Sequence, residues 1–165
     1  EFVFITEPNE VELGKYDMEL LKVVSDNPRM KILDICKKLK VTPKTVISRI
    51  KVMEKRKIII GYRCVFDLEK LGYQHFKVHF NLHNLTEQKE TKLRQYIKEH
   101  PNIIFDNEVM GGDNVEIEIQ VKSIEALRKI IDEVKKEFSD IIKDHKYMWF
   151  YKEHKFVFMP EDMKT

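Results

Sequence analysis

Cysteine, glycine, proline and long apolar runs are all scarce in this chain of 165 residues, and each shortage excludes something. Only Cys36 and Cys64 occur, far apart and without a CxxC spacing. A disulfide scaffold and a thiolate metal site are therefore not expected, and reduced thiols in a cytoplasmic protein are. Neither cysteine has a neighbouring histidine or acid to activate a thiolate, which argues against a catalytic thiol. No apolar stretch approaches the roughly 18 residues of a membrane span, so no membrane partner is expected. Five glycines and five prolines against 35% charged residues imply short loops and a charge-rich surface, a balance compatible with a thermophilic source. Gly111-Gly112 is not a phosphate loop, because no Lys-Ser/Thr follows and strand-like sequence comes next. His75, His79 and His83 are spaced four apart in a strand-like stretch, so each step covers about 13 Å, too wide for one ion. Neither a metal nor a cofactor nor a catalytic set is expected.

What is present is cationic and helical. Val41 to Arg63 reads VTPKTVISRIKVMEKRKIIIGYR. Thr42 can accept the orphan amides of a helix start, Pro43 suits the first helical position, and Val46, Ile50 and Met53 recur at helical spacing. Lys44, Ser48, Lys51 and Lys55 then fall opposite that stripe, with Thr45 and Arg49 on its flanks. Hydroxyls and long cations on a free helix face suit phosphates and base edges, so Thr42, Lys44, Thr45, Ser48, Arg49, Lys51 and Lys55 are the expected DNA-binding residues.

A helix over Lys31 to Leu39, with Ile32, Ile35, Cys36 and Leu39 at 3-4 spacing, stands two residues before the cap. So tight a turn reads as helix-turn-helix. An earlier helix, about Asp17 to Ser25 with Leu20, Leu21 and Val24 inward, ends at Asp26-Asn27-Pro28 and covers the pair. Ile58 to Ile60 and Arg63 to Phe66 are the expected strands of a wing. From Tyr16 to Arg63 there are 13 Lys plus Arg and 5 Asp plus Glu, a net +8 in a chain of net +2. The cations are segregated onto this head, which points to double-stranded DNA.

From Gln74 the period changes to two, with Phe76, Val78, Phe80 and Leu82 on one side of a strand. Thr86 caps a helix to about Glu99 with Leu93, Tyr96 and Ile97 inward. Strands over Ile103 to Met110 and Val115 to Val121 flank the turn Gly111-Gly112-Asp113-Asn114. Ser123 caps a second helix carrying Ile124, Leu127, Ile131, Val134 and Phe138, and a last strand covers about Lys146 to Tyr151. The order β-α-β-β-α-β is that of a ferredoxin-like split βαβ fold. Helices cover only one face of such a sheet. Glu116, Glu118 and Gln120 and the histidines of the first strand lie on the other face, where they are expected to pair across a symmetric dimer interface.

Leu13, Asp17 and Leu20-Leu21, then Arg29, Arg49, Ile60-Gly61-Tyr62, Lys70-Leu71-Gly72-Tyr73 and MGGDNVEIEI from Met110 to Ile119 occur in that order. In this set the chain resembles the Lrp/AsnC, or feast/famine, transcription regulators from Leu13 to Pro160, most nearly the archaeal type. The resemblance implies an α+β protein in which a winged helix-turn-helix precedes a ferredoxin-like (RAM-type) domain. It also implies a homodimer or higher oligomer, sequence-specific DNA binding, and a small-molecule effector such as an amino acid. The implied division is an arm over 1–12, a head over 13–66, a linker over 67–73, a regulatory domain over 74–160 and a tail over 161–165. Gly111, Gly112, Asp113 and Asn114 are the expected effector-binding residues. The family's loop commonly reads Gly-x-x-Asp or Gly-Gly-Trp-Asp, so most free amino acids are expected to bind this chain weakly. Where the family usually ends its recognition helix on glycine this chain has Lys57, and a different helix end is expected.

Two further expectations follow. Glu1 to Pro8, EFVFITEP, is similar to Lys155 to Pro160, KFVFMP, as it would be in the C-terminal module of a tandem protein. The start at Glu1 rather than methionine fits a processed or truncated product. The alternative to a regulator is an enzyme resembling the sirohaem decarboxylases of the same two-domain layout, with His79, His83 or His100 holding tetrapyrrole carboxylates.

Overall fold

The computed structural model of the chain describes residues 12–109, 111–112 and 114–160. Three helices come first: α1 (Lys15–Asp26), α2 (Ile32–Leu39) and α3 (Pro43–Lys55). An α+β run follows: β1 (Gln74–Leu82), α4 (Glu87–Glu99), β2 (Ile103–Asn107), β3 (Val115–Val121), α5 (Ile124–Glu137) and β4 (Ile142–Trp149). The chain divides into two compact units, one spanning Phe66–His154 and the other holding the described residues up to Val65 with those from Lys155 onward.

In the first unit, Leu20 and Val23 of α1, Ile35 of α2 and Val46 and Met53 of α3 form the core, with Leu39, Val41, Ile50 and Ile58 packed against it. The expected inward Val24 is only half-buried, and Val23 takes its place. The turn between α2 and α3 is made by Lys40 in the left-handed region at φ 53°, where Val41 N–H donates to the Cys36 carbonyl. Thr42 then caps α3: its hydroxyl oxygen accepts from Thr45 N–H at 3.2 Å. At the far end of α3, Lys57 N–H donates to Glu54 and Ile58 N–H to Met53, a Schellman closure with Ile58 and Met53 in one cluster. Lys57 sits at φ 55°, so this helix end keeps the left-handed geometry that glycine usually supplies, contrary to the expectation of a different end.

The expected wing strands at 58–60 and 63–66 carry no ladder. A two-stranded ribbon of three- and four-residue strands is marginal in water without a third strand or a buried face, and Val65 and Phe66 are exposed. The segment is tied to α3 instead by Tyr62, whose hydroxyl donates to Glu54 Oε1 at 3.0 Å. Desolvation first, and then that bond, hold the Tyr62 phenol above its usual pKa.

The second unit is a four-stranded antiparallel sheet in the order β2-β3-β1-β4, the ferredoxin-like arrangement. Phe76, Val78 and Phe80 of β1 and Val115, Ile117, Ile119 and Val121 of β3 pack against Leu93 and Ile97 of α4 and Leu127, Ile131 and Val134 of α5. Thr86 and Ser123 cap the two helices by accepting from Lys89 and Ala126 N–H. Strand β2 stops at Asn107 rather than Met110, because Asn107 already faces Glu116 and only Val115 of β3 remains beyond it. Strand β4 begins at Ile142 rather than Lys146, hidden in the sequence by the charges at Lys143, Asp144 and Lys146. Those charges suit an edge strand, where they discourage pairing with another sheet.

The face of the sheet away from α4 and α5 departs most from expectation. His75 Nε2 lies 3.0 Å from Glu118 Oε2, Lys77 Nζ lies 2.7 Å from Glu116 Oε2, and His79 Nδ1 lies 3.3 Å from Glu116 Oε1. Register explains it. His75, Lys77 and His79 stand opposite Gln120, Glu118 and Glu116 on β3, so the charges meet directly or diagonally within one chain rather than waiting for a partner. Glu116 is only 8% exposed, and the Lys77 ammonium holds its carboxyl below the ordinary range.

Candidate nucleic-acid interface

The site is built on α3. With Val46, Ile50 and Met53 turned into the head, all seven expected DNA-binding residues, Thr42, Lys44, Thr45, Ser48, Arg49, Lys51 and Lys55, are exposed. Lys44, Ser48, Lys51 and Lys55 line one continuous surface, and Lys44, Thr45, Ser48 and Arg49 an adjoining one. Among the described residues, no carboxylate pairs with Lys44, Lys51 or Lys55. Three ammonium groups on one face of one helix repel each other and are all available to an external anion. Thr42 and Thr45 are partly committed already, since their hydroxyl oxygens lie 2.9 Å apart in addition to the cap bond.

Arg49 is not simply free. Its Nη1 lies 3.5 Å from Oδ2 of Asp17, which is 7% exposed in the first turn of α1, while the Arg49 side chain itself is 53% exposed. The pair clamps α3 to α1 and leaves the rest of the guanidinium fork facing solvent. Asp17 Oδ1 has no hydrogen-bond partner among the described residues. The sequence did carry a signal for this pair. Asp17 stands three residues before Leu20 on the same apolar stripe, and an acid there needs a partner. Two more residues escaped the sequence reading altogether: Ile47 and Val52, which share the surface with Lys44, Ser48, Lys51 and Lys55.

The expected effector residues are brought together in part. Gly111 lies in the left-handed region at φ 81°, and a Cβ on Gly112 would meet Val109 Cγ2 at 3.3 Å and Glu116 Oε1 at 3.4 Å. Asn114 is structural at least on one side, its Oδ1 accepting from Leu82 N–H at 2.7 Å. Asp113 lies outside the described residues, as do Met110 and the segments 1–11 and 161–165. The histidines considered for a tetrapyrrole do not converge. His83 follows the end of β1, whereas His100 accepts from Asn102, which in turn donates to Gln120 opposite His75 at the start of β1. The length of β1, about 26 Å from residue 75 to residue 83, separates them.

A family model described as winged helix-turn-helix DNA-binding matches residues 13–60. The chain is 24% identical over 123 residues to the HTH-type transcriptional regulator LrpC of Bacillus subtilis, covering 74% of this chain and 83% of that protein. It is 22% identical over 122 residues to the HTH-type transcriptional regulator FL11 of Pyrococcus horikoshii, covering 74% and 80%. The solved L-Met complex of a transcriptional regulator from Neisseria meningitidis superposes with a TM-score of 0.82 at 15% identity, over 92% of this chain and 98% of that one. Residues 13–60 thus match a winged helix-turn-helix DNA-binding family, and over about three quarters of its length the chain is similar to transcriptional regulators of the Lrp/AsnC type.

Proposed function

We propose that α3 lies in the major groove of duplex DNA, with Lys44, Lys51 and Lys55 on phosphates and Thr45, Ser48 and the free edge of Arg49 on base edges. Thr42 sets the start of the helix against the backbone. The observation that carries this is the row of three lysines with no carboxylate among the described residues to neutralise it. Docked Arg49 adds orientation, because a guanidinium fixed at one end presents its remaining donors in one direction. Competition between a selected duplex and unrelated DNA tests the reading. Preference for the selected duplex should fall on Ser48→Ala or Arg49→Lys, while loss of either side chain without any change in preference would remove base reading from α3.

The division of labour we propose is a head over 13–66, a linker over 67–73 and a regulatory domain over 74–160, with no catalytic step. The protein works in the cytoplasm and belongs to the archaeal type, for which its similarity to FL11 is the support. The echo between Glu1–Pro8 and Lys155–Pro160 favours a tandem arrangement. Two ferredoxin-like domains join through the open sheet face. In support, Met148 of β4 and Phe150 just beyond its end, whose ring lies against His75, are 53% and 47% exposed on that side, beside charges already satisfied within the chain. A two-fold pair would set two α3 helices about one DNA turn apart or a multiple of it.

The effector, an amino acid or another small molecule with a carboxylate, is placed at the 111–114 turn, and the L-Met in the Neisseria regulator supports that class. The lost aromatic and the commitment of Asn114 Oδ1 to Leu82 favour weak binding of most free amino acids. A calorimetric screen of the twenty decides it. One micromolar binder whose affinity is lost on Asn114→Ala would overturn the weak-binding part and keep the place.

A further inference from the structure

We infer that α3 reads the C5-methyl groups of thymines, through Ile47 on one side of its lysine row and Val52 on the other. The inference rests on the duplex-binding reading of the same face and adds which bases it selects. Ile47 and Val52 are each 40% exposed, and neither belongs to the cluster that holds α3 in the head. Both are β-branched, a class that α-helices accept less readily than lysine or alanine, so local helix preference does not account for them. A single exposed aliphatic residue needs no account. Two of them bracketing Lys44, Ser48, Lys51 and Lys55 on one surface do.

The cations fix what that surface meets. A face with three unpaired ammonium groups is complementary to a polyanion, and in the major groove of duplex DNA each base edge presents polar atoms except for one apolar group, the thymine methyl. Five residues separate Ile47 from Val52, which places them about 140° apart around the helix and about 7.5 Å apart along it. They therefore flank the lysine row on its two sides, one toward each strand, and address thymines of different base pairs. Ser48 and the lysines between them meet the polar edges and the backbone. A protein partner on this face would have to tolerate the lysine row, and its occupancy would show no dependence on a base methyl.

The test uses the full chain. A preferred duplex is selected from a random pool, and each thymine of it is replaced singly by deoxyuridine, which lacks only the methyl. Affinity should fall about fourfold at the contacted positions, the worth of one methyl taken out of water. On the Ile47→Ala chain the sensitivity should vanish at one set of positions and on Val52→Ala at another, with the salt dependence of binding unchanged in both. Alanine favours the helix, so α3 is retained, and circular dichroism of each variant verifies it. Salt-sensitive duplex binding that is indifferent to deoxyuridine throughout, methyl sensitivity that survives both alanine variants, or a selected duplex with no thymine in its core would each overturn the inference alone. Absence of salt-sensitive duplex binding would overturn the reading beneath it as well.

Discussion

The chain carries two rows of charge, and they are built in opposite ways. On α3 the row is of one sign: Lys44, Lys51 and Lys55 project from a helix whose nearby acid, Glu54, is engaged by Tyr62. On the open face of the sheet the row alternates across strands: Lys77 lies 2.7 Å from Glu116, His79 lies 3.3 Å from the same carboxylate, and His75 lies 3.0 Å from Glu118. The difference teaches where an outside partner is needed. A row of like charge lowers its energy by meeting a polyanion, whereas a matched row has little left to gain from one and stabilises the domain that holds it. Helix geometry puts residues of like sign on one face by sequence spacing alone, while strand geometry puts unlike residues together by register.

Breaking the first row should have the larger effect. Replacing Lys44, Lys51 and Lys55 together by glutamine should weaken duplex binding at moderate salt by on the order of 100-fold or more, and it should do so for all sequences alike. Gel-shift titrations on a selected and an unrelated duplex measure both parts of that statement. Thermal stability of the chain should hardly change, because none of the three lysines is in an ion pair among the described residues.

Breaking the second row should do the reverse. Glu116→Gln leaves Lys77 and His79 facing a neutral amide in a poorly exposed site, and it should cost about 1–3 kcal/mol in urea unfolding. The DNA-binding salt slope should stay where it was. A Glu116→Gln chain as stable as the parent would show that the sheet ladder is ornamental to the fold.

The comparison also marks what a sequence reader can and cannot see. Caps at Thr42, Thr86 and Ser123, the stripe of Val46, Ile50 and Met53, and the alternation of Phe76, Val78 and Phe80 are local patterns, and each stands where its spacing put it. Partnerships across the chain were legible only as a need, as for the acid at Asp17, and not as the identity of the partner. Asp17 with Arg49 depends on how α1 crosses α3, and Lys77 with Glu116 depends on a strand register set by residues far from either. The start of β4 at Ile142 was masked for the same reason, since a charged edge strand draws its identity from β1 rather than from its own composition. The strands expected at 58–60 and 63–66 carry no ladder because β-branched residues at 58–60 suggest a strand without supplying a partner for it. On the candidate site, the cations were legible and the apolar pair Ile47 and Val52 was not, because spacing alone does not separate exposed aliphatic residues from the margin of the buried stripe beside them.

Two smaller changes sharpen the contrast between a fold-holding region and a ligand-holding one. Lys57→Gly should raise the stability of the head by up to about 1 kcal/mol, because the native residue occupies the left-handed region at φ 55°. Its effect on the salt slope is expected to be slight, since Lys57 lies beyond the end of α3. Differential scanning calorimetry reads the first effect and a salt titration the second.

The smallest expected effect is of pH. Burial lowers the imidazole pKa of His100, against an opposing pull from Glu133. It also lowers that of His145, aided by Lys135 and opposed by Asp132 and Asp144. The unfolded chain therefore takes up these protons first as pH falls through about 6.5, and stability of the sheet domain should decline below that point and level off above it. Glu116 works at lower pH, with its carboxyl held below 4.5, so its contribution persists through this window and is lost only under stronger acid. Melting curves from pH 7.5 to 5.5 should show the drift, and the His100→Gln, His145→Gln double variant should flatten it.

The central claim is that the α3 lysine row is matched by DNA phosphates and the sheet ladder is not. Its most direct measurement is the slope of log affinity against log salt for one duplex, taken on the parent chain, on the triple lysine variant and on Glu116→Gln. The account predicts a steep negative slope for the parent, a slope shallower by about 0.9 for each lysine that meets a phosphate in the triple variant, and the parental slope for Glu116→Gln. A parental slope near zero, or one that the triple lysine variant leaves unchanged, would contradict it.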